Sequence, residues 1–322
     1  MLFHSEIRRM RNPISPVSGF QAAAIFILAG FLSGPGASLA RGAAQPAFST
    51  PNAAMAALIA AVRAGATNKV LTILGPELEA FNATRDKAQD AIDRQLFLDG
   101  SRILKLEKQE GDPNTVIAYM GKSEWPFPAP LVKTSTGWQF DGNAALEEIR
   151  DRQIGRNEFG AILMCNVYVD VQLEYFSSDR QGNGYLQFAQ RINSSPGKFD
   201  GLYWSNANGE EVSPVGPFAA QAAAVETSPS DKAVPLQGYY MKILTAQGDA
   251  VAGGARSYLV DGRMLTGFAL VAWPAEYGIT GAFTFIVNQL GTVYQKDLGS
   301  DTDRLARAMT DFNPDSTWTK VE

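Results

Sequence analysis

The sequence has very little of the chemistry on which most enzyme active sites depend. Its 322 residues include one histidine, His4, and one cysteine, Cys165. Catalytic triads that contain histidine need an imidazole that accepts and returns a proton near neutral pH. Most zinc hydrolase sites, and haem held by histidine, need the same side chain. If His4 is removed with an export signal, these mechanisms are excluded from the mature protein.

The single cysteine excludes further classes of site. One cysteine forms no intramolecular disulfide, no Cys-x-x-Cys redox pair and no metal cluster built from cysteines. The surrounding sequence, GAILMCNVYV, is apolar and predicts a buried, inert thiol. Neither a Walker pattern nor a Rossmann glycine pattern occurs, and we expect no cofactor.

The charge balance argues against nucleic acid as a partner. The chain has 28 basic and 33 acidic residues and a net charge of -5, whereas nucleic-acid binding depends on a basic surface. Hydrophobic residues make up 45% of the chain and charged residues 19%, as in folded globular proteins. The length indicates two domains.

The first 40 residues have the pattern of an export signal. Three arginines, the last of them Arg11, precede an apolar run at residues 21–32, and small residues at Ser38 and Ala40 suit a cleavage site. The run is shorter than the roughly 20 residues that a membrane-spanning helix needs. We predict cleavage near Ala40, a periplasmic protein and no stable membrane span afterwards. A retained membrane anchor is the alternative.

Residues 41–142 predict an α+β domain. A helix begins at Pro51 with Ser49 or Thr50 as its cap and ends at Gly65. Two shorter helices are predicted next, over TNKVLTILG and over residues 84–98. The spacing of apolar residues then changes to the alternation that is typical of short strands, in RILKLEKQE, TVIAYMGK, APLVKT and GWQFD. Helices followed by a curled antiparallel sheet resemble the NTF2-like pattern.

Residues 143–322 predict a long helix followed by an antiparallel sheet. The helix covers residues 143–176, and Gly155 is expected to kink or break it. Its expected buried positions are Leu146, Ile149, Phe159, Ile162, Leu163 and Val167. Strands are predicted in GYYMKIL, SYLV and GFALVAWP, with a tight turn at Asp261–Gly262. This second half resembles the globular part of pilin-like proteins.

The end of the chain predicts a hairpin and a short helix. The stretch TGAFTFIVNQLGTVYQKDLG alternates on both sides of a turn, with Phe283, Phe285 and Val287 on the inward face. The closing helix is expected over residues 301–310, with Ser300 as its cap and Asp303 three residues later.

Several stretches together resemble a known family. They are EWPFPAPLVK, GWQFD, IGRNE, SPGKFDGLYW, GYYMKILTAQG and GFALVAWPAEYGITGAFTFIVNQLGTVYQKDLG, in that order along the chain. In this combination the chain resembles exported bacterial proteins classified as domain of unknown function 2950. The resemblance implies export and implies no activity and no catalytic residues.

The loop DRQGNG is the candidate metal site. Asp179, Gln181 and Asn183 place oxygen atoms at alternate positions before Gly184, as a calcium-binding loop does. The twelfth position is Gln190, where such loops carry a bidentate glutamate. A polar turn without metal is the alternative interpretation.

Two segments are candidates for binding a partner. Arg150, Arg152 and Arg156 lie at helical spacing and could bind carboxylates or another anionic ligand. The alternative is a solvated helix face with local ion pairs. Trp125 and Phe127, in WPFPAP, form the second candidate, with burial in the core as the alternative.

The expected function is therefore non-enzymatic. We expect an exported envelope protein that is structural, binds an unidentified envelope protein, or holds a small ligand in a pocket of the first domain. The alternative is a hydrolase of envelope polysaccharide that uses a pair of carboxylates, with Asp200, Glu210 and Glu211 as the residues to test.

Overall fold

The computed structural model describes residues 44–81, 87–204, 213–214 and 235–321. The predicted export signal and Glu210 and Glu211 lie outside these ranges. The chain divides into two compact units between Arg152 and Gln153, whereas the sequence analysis placed the boundary between residues 142 and 143. Both units combine helices with antiparallel sheets, so the α+β class is confirmed.

The first unit opens with helices whose ends follow local signals. The side chain of Thr50 accepts a hydrogen bond from the backbone N–H of Ala53, Pro51 occupies the first turn, and Gly65 has a φ of +65° after the helix end. This is the predicted N-cap. The helices are α1 (Pro51–Arg63), α2 (Thr67–Leu74) and α3 (Lys87–Gly100), with a 3-10 turn at Pro76–Phe81.

The sheet of the first unit is an antiparallel meander. The strands are β1 (Leu104–Gln109), β2 (Asp112–Met120), β3 (Trp125–Pro126), β4 (Leu131–Thr134) and β5 (Gly137–Phe140). They pair in the order β1-β2-β4-β5, and β3 pairs with β2. The core between helices and sheet holds the aromatic rings of Phe97, Phe127 and Phe140, and the ring centroids of Phe97 and Phe140 lie 5.8 and 6.2 Å from that of Phe127.

The long helix, α4 (Gly142–Phe176), runs without interruption through Gly155. The division between the units falls within it. The predicted helix is confirmed, with its start one residue earlier than expected, and it is not broken at Gly155.

The buried stripe of α4 differs in part from the prediction. Phe159 and Leu163 are exposed, at 42% and 46% of their full area. The residues that face the core of the second unit recur every three or four positions, and they are Ala161, Cys165, Tyr168, Gln172 and Tyr175. The prediction chose large apolar side chains, whereas the helix buries the small side chain of Ala161 and the polar side chain of Gln172.

The second unit is built on a large antiparallel sheet. Its strands are β6 (Tyr239–Leu244), β11 (Ala269–Pro274), β12 (Phe283–Asn288), β13 (Tyr294–Asp297) and β15 (Thr319–Lys320). They pair in the order β15-β13-β12-β11-β6. The short strands are β7 (Ala246–Gln247), β8 (Arg256–Ser257), β9 (Leu259–Val260), β10 (Arg263–Met264) and β14 (Asp311–Phe312). In a smaller sheet β14 pairs in parallel with β7, and β7 pairs antiparallel with β8.

Two predicted turns of the second unit are confirmed. Asp261 and Gly262 both have positive φ, +49° and +77°, between the paired strands β9 and β10. Positive φ at both central residues is the geometry of a tight hairpin turn. The hairpin of β12 and β13 is also present, with Phe285 opposite Gln295.

The sheet is buried on both faces, which corrects the expectation of a single inward face in this hairpin. Phe285 and Val287 are fully buried, but so are Thr284 and Ile286 on the opposite face. That second face is covered in part by helix α5 (Thr302–Ala308), because Trp273 of β11 donates a hydrogen bond to Asp303 at 2.9 Å.

The predicted cap of this last helix is wrong. Ser300 lies in a 3-10 turn, Gly299–Asp301, and the N-cap residue Asp301 makes no side-chain capping bond. Asp303 binds Trp273 and Arg307 instead of closing a capping box. The local pattern assigned the Asp303 carboxylate to the helix cap, but in the structure it accepts a hydrogen bond from Trp273 of the sheet.

Within the described ranges, no helix combines the length and the apolar character that crossing a membrane requires.

Burial of both sheet faces leads to a stability test. Ile286→Ala should lower the free energy of unfolding of the second unit by about 2–5 kcal/mol, because Ile286 is 1% exposed. The matched control, Leu290→Ala, removes an aliphatic side chain that is 75% exposed at the hairpin tip and should change stability by less than about 0.5 kcal/mol. Urea unfolding measures both. Equal effects would contradict burial of the second face.

Candidate functional site

The carboxylate of Asp200 is held by its own loop. Its two oxygens accept hydrogen bonds from the backbone N–H of Ser195 at 2.7 Å and from the Ser195 hydroxyl at 2.8 Å. Burial by itself would raise the pKa of Asp200, but the bonds from Ser195 and the charge of Arg191 outweigh it and lower that pKa. A general acid for glycoside cleavage needs a raised pKa. Asp200 is therefore suited to holding a loop rather than to donating a proton.

The candidate calcium loop is closed by internal hydrogen bonds. The Asp179 carboxylate accepts from the backbone N–H groups of Asn183 and Gly184, at 3.1 and 2.7 Å. Gln181 donates to the Tyr175 hydroxyl, and Gln190 donates to the carbonyl of Gly262. These contacts explain the loop geometry as a polar turn. Calcium binding at Asp179, Gln181 and Asn183 stays a prediction.

Trp125 and Phe127 lie in the core of the first unit. They are 6% and 2% exposed. Phe127 packs between Phe97 and Phe140, and the guanidinium of Arg152 lies 4.7 Å from the Trp125 ring centroid. As a correction to the partner-binding hypothesis, neither ring forms an exposed surface. The alternative of core packing describes both.

The three arginines of the second partner-binding candidate have different surroundings. Arg150 is exposed, whereas Arg152 pairs with Glu148 at 2.7 Å and stacks on Trp125. Arg156 is half-buried and follows the division between the units. The helical spacing of these arginines predicted that they share one face of the helix. In the first unit, Arg152 is engaged in a local ion pair and ring contact, and Arg150 is left to solvent.

The nucleophilic side chains of the second core are suppressed by burial. Cys165 is fully buried beneath the sheet, and desolvation raises the pKa of its thiol to about 12. Desolvation also raises the pKa of Tyr168 and of Tyr239. These groups stay neutral at physiological pH, so they act as packing groups and hydrogen-bond donors.

A surface depression in the second unit is a candidate ligand site among the described residues. It has a volume of about 530 Å³ and is wide open to solvent. It lies at the smaller sheet, whereas the sequence analysis placed a small-ligand pocket in the first domain. The residues that line it are Ala246, Gln247, Gly248, Asp249, Ala255, Arg256, Ser257, Thr310, Asp311 and Asn313.

The parallel pairing of β14 with β7 creates this depression. Ala246 pairs with Asp311 and Gln247 with Phe312, residues 65 positions apart in the chain. Asn313 then fixes the following loop, because its side-chain oxygen accepts from the backbone N–H of Ala250 at 2.9 Å. The sequence predicts only a loop with several glycines here. Strands of two residues are too short to show the alternation of apolar and polar residues by which a strand is recognised.

The charges of the depression, which we call the Arg256 depression, are mixed. Asp249 accepts a bond from the backbone N–H of Ala255 at 3.2 Å, and Asp311 accepts from the Thr310 hydroxyl at 3.0 Å. Arg256 is exposed and forms no ion pair within the part of the chain that the structure describes. One free guanidinium beside two carboxylates can bind an anionic group and an ammonium group at the same time.

A family model described as "Protein of unknown function (DUF2950)" matches residues 45–321. The chain belongs to this family. The match covers the described parts of both units and every residue that lines the Arg256 depression. No curated protein and no solved structure matches the chain. The DUF2950 resemblance seen in the sequence is therefore confirmed, and the pilin-like resemblance is not.

Burial of Cys165 predicts an unreactive thiol in this DUF2950 protein. In the native state at pH 8, a thiol-reactive dye should label it at least about 100-fold more slowly than in urea, because only the exposed thiolate reacts. Absorbance of the released dye measures the rate. A Cys165→Ala variant serves as the blank. Fast labelling of the folded protein would contradict a closed core.

Proposed function

We propose that this protein is exported, with its signal cleaved near Ala40, and acts in the periplasm without catalysing a reaction. It binds a small ligand that carries both an anionic and a cationic group, such as an amino acid or a short peptide. The observation that supports this proposal is the Arg256 depression, in which a guanidinium that forms no ion pair with any described residue lies with Asp249 and Asp311 around about 530 Å³ of open volume.

The ligand class follows from the charges that line the depression. A guanidinium binds a carboxylate or phosphate through paired hydrogen bonds, and aspartate oxygens accept from an ammonium group. Asn313 and Thr310 add polar groups at the rim. A purely apolar ligand would make no hydrogen bond to any of these groups.

The alternative function, a carboxylate-dependent hydrolase, has less support. Asp200 is the one of its candidate carboxylates that lies within the described residues. The pKa of Asp200 is lowered, and both of its carboxylate oxygens accept hydrogen bonds from Ser195.

The finer architecture belongs to the same proposal. Helices followed by an antiparallel meander support an NTF2-like first unit. A long helix packed on an antiparallel sheet supports a pilin-like arrangement in the second.

Ligand binding is tested by screening amino acids and short peptides against the mature protein. A ligand of the depression should raise the melting temperature of the wild type and bind at least about tenfold more weakly to Arg256→Ala, since one charged contact is worth roughly 1.4 kcal/mol or more. Arg150→Ala, which removes an exposed arginine from the first unit, is the matched control and should bind normally. Equal binding by the Arg256→Ala variant would refute this site.

Export is tested separately by intact-mass analysis of the protein recovered from bacterial fractions. We expect the periplasmic fraction to contain a chain that begins at or near Arg41, without His4, since the signal pattern ends at Ala40. An Ala40→Arg variant, which spoils the cleavage site, should retain the signal. A full-length chain in the membrane fraction of the wild type would support a retained anchor instead.

A further inference from the structure

The pair Asn183–Gly184 lies in the loop that follows the long helix α4 of the second unit. Both residues are exposed, and a Cβ placed on Gly184 would meet no atom within 4 Å. Because glycine has no side chain, the amide group of a preceding asparagine can approach the backbone nitrogen of the glycine without steric hindrance. For this reason an asparagine side chain loses its amide group most readily when glycine follows it.

This reaction, deamidation, needs only the chain itself and water. The backbone nitrogen of Gly184 attacks Cγ of Asn183, so that a new N–Cγ bond forms and the bond between Cγ and Nδ2 breaks. The proton of the attacking nitrogen leaves with Nδ2 as ammonia. Water then opens the cyclic imide at either of its two carbonyl groups and produces aspartate or isoaspartate. One water enters, one ammonia leaves, and nothing is oxidised or reduced.

The attacking nitrogen is bound to a carboxylate in the folded protein. The N–H of Gly184 donates to one oxygen of Asp179 at 2.7 Å, and the N–H of Asn183 donates to the other at 3.1 Å. Attack on Cγ requires the nitrogen of Gly184 to lose this proton. A negative charge on that nitrogen would lie beside the negative charge of Asp179, and like charges disfavour ionisation. The carboxylate therefore opposes the first step.

The asparagine side chain and the loop are held in place as well. Oδ1 of Asn183 accepts a hydrogen bond from the backbone N–H of Tyr185 at 3.2 Å, which fixes the orientation of the amide group. Gln181 ties the same loop to the end of α4, because its side chain donates to the Tyr175 hydroxyl at 3.1 Å. The nitrogen of Gly184 can therefore approach Cγ only when the loop opens locally.

We propose that Asn183–Gly184 is a site of spontaneous deamidation, which the carboxylate of Asp179 holds closed in the folded protein. The substrate is the chain itself, and the product carries one additional negative charge in the loop. Opening of the loop releases the reaction, so the converted fraction of Asn183 increases with the time that the loop spends open. This modification is independent of ligand binding at the Arg256 depression.

The same carboxylate is too weak a base to promote the reaction. A carboxylate takes up a proton only in acid, whereas a backbone amide gives up its proton only to a much stronger base. The two roles predict opposite effects when the carboxylate of Asp179 is removed. Deamidation becomes faster if Asp179 protects Asn183, and slower if Asp179 acts as the base.

Deamidation is measured by peptide mapping with mass spectrometry while the mature protein is incubated at mildly alkaline pH. In the folded wild type, Asn183 should react at least about tenfold more slowly than in a synthetic peptide of residues 177–188, because a hydrogen bond to a charged group contributes about that factor or more. An Asn183→Asp variant marks the product. The pair Asn208–Gly209, which lies outside the described residues, is followed separately. Equal rates in protein and peptide would overturn the proposal.

The role of the carboxylate is tested with variants of Asp179. Asp179→Ala should accelerate the reaction of Asn183 in the folded protein at least about tenfold, and Asp179→Asn, which keeps one acceptor oxygen without the charge, should have a smaller effect. Asp170→Ala removes an exposed carboxylate of α4 and is the matched control, with no expected change. In urea, all these chains should react at the rate of the peptide. An unchanged or slower reaction in folded Asp179→Ala would contradict protection by this carboxylate.

A second measurement uses the wild-type chain, in case Asp179→Ala fails to fold. Amide hydrogen exchange followed by NMR should be at least about tenfold slower for the N–H of Gly184 in the folded protein than in the peptide. An unprotected Gly184 amide would show that Asp179 does not hold this nitrogen, and the proposal would be wrong. Arg256→Ala should deamidate at the wild-type rate, so the outcome of the ligand screen does not affect this test.

Discussion

The second unit depends on the burial of β11 and β12 on both faces. Every residue of these two strands except Phe283 is buried. The long helix covers one face, where Tyr168 donates to the carbonyl of Ala269 and packs edge-on against Phe268. Helix α5 and the strand after it cover the other. Since apolar burial is the main favourable term in folding, the remaining elements are arranged around these two strands.

Polar residues complete this core because each of them has a specific partner. Gln172 is fully buried in the helix, yet its side chain both donates to and accepts from the backbone of Ala189. It thereby ties the following loop to the helix, and a buried amide without such partners would be costly. On the opposite face, Asp303 joins Trp273 to Arg307. The same carboxylate that fails as a helix cap thus fixes α5 to the sheet.

The proposed function rests on a surface of the second unit and not on its reactive side chains. The nucleophilic side chains of the second core are neutral packing groups, and Asp200 is committed to its own loop. By contrast, the Arg256 depression contains a guanidinium that forms no ion pair within the described residues. A hydrogen bond to such a charged group contributes more than one between neutral groups.

The sequence alone determined the features that depend on neighbouring residues. Thr50 and Pro51 start a helix, Asp261–Gly262 makes a tight turn, and the length of α4 follows from its composition, because caps and turns form within a few residues. Tertiary structure decided the rest. It exposed Phe159, buried Ile286, and joined β7 to β14 across 65 residues. Such contacts depend on which distant parts of the chain pack together, and the local spacing of apolar residues does not determine this. The Arg256 depression is a consequence of this kind.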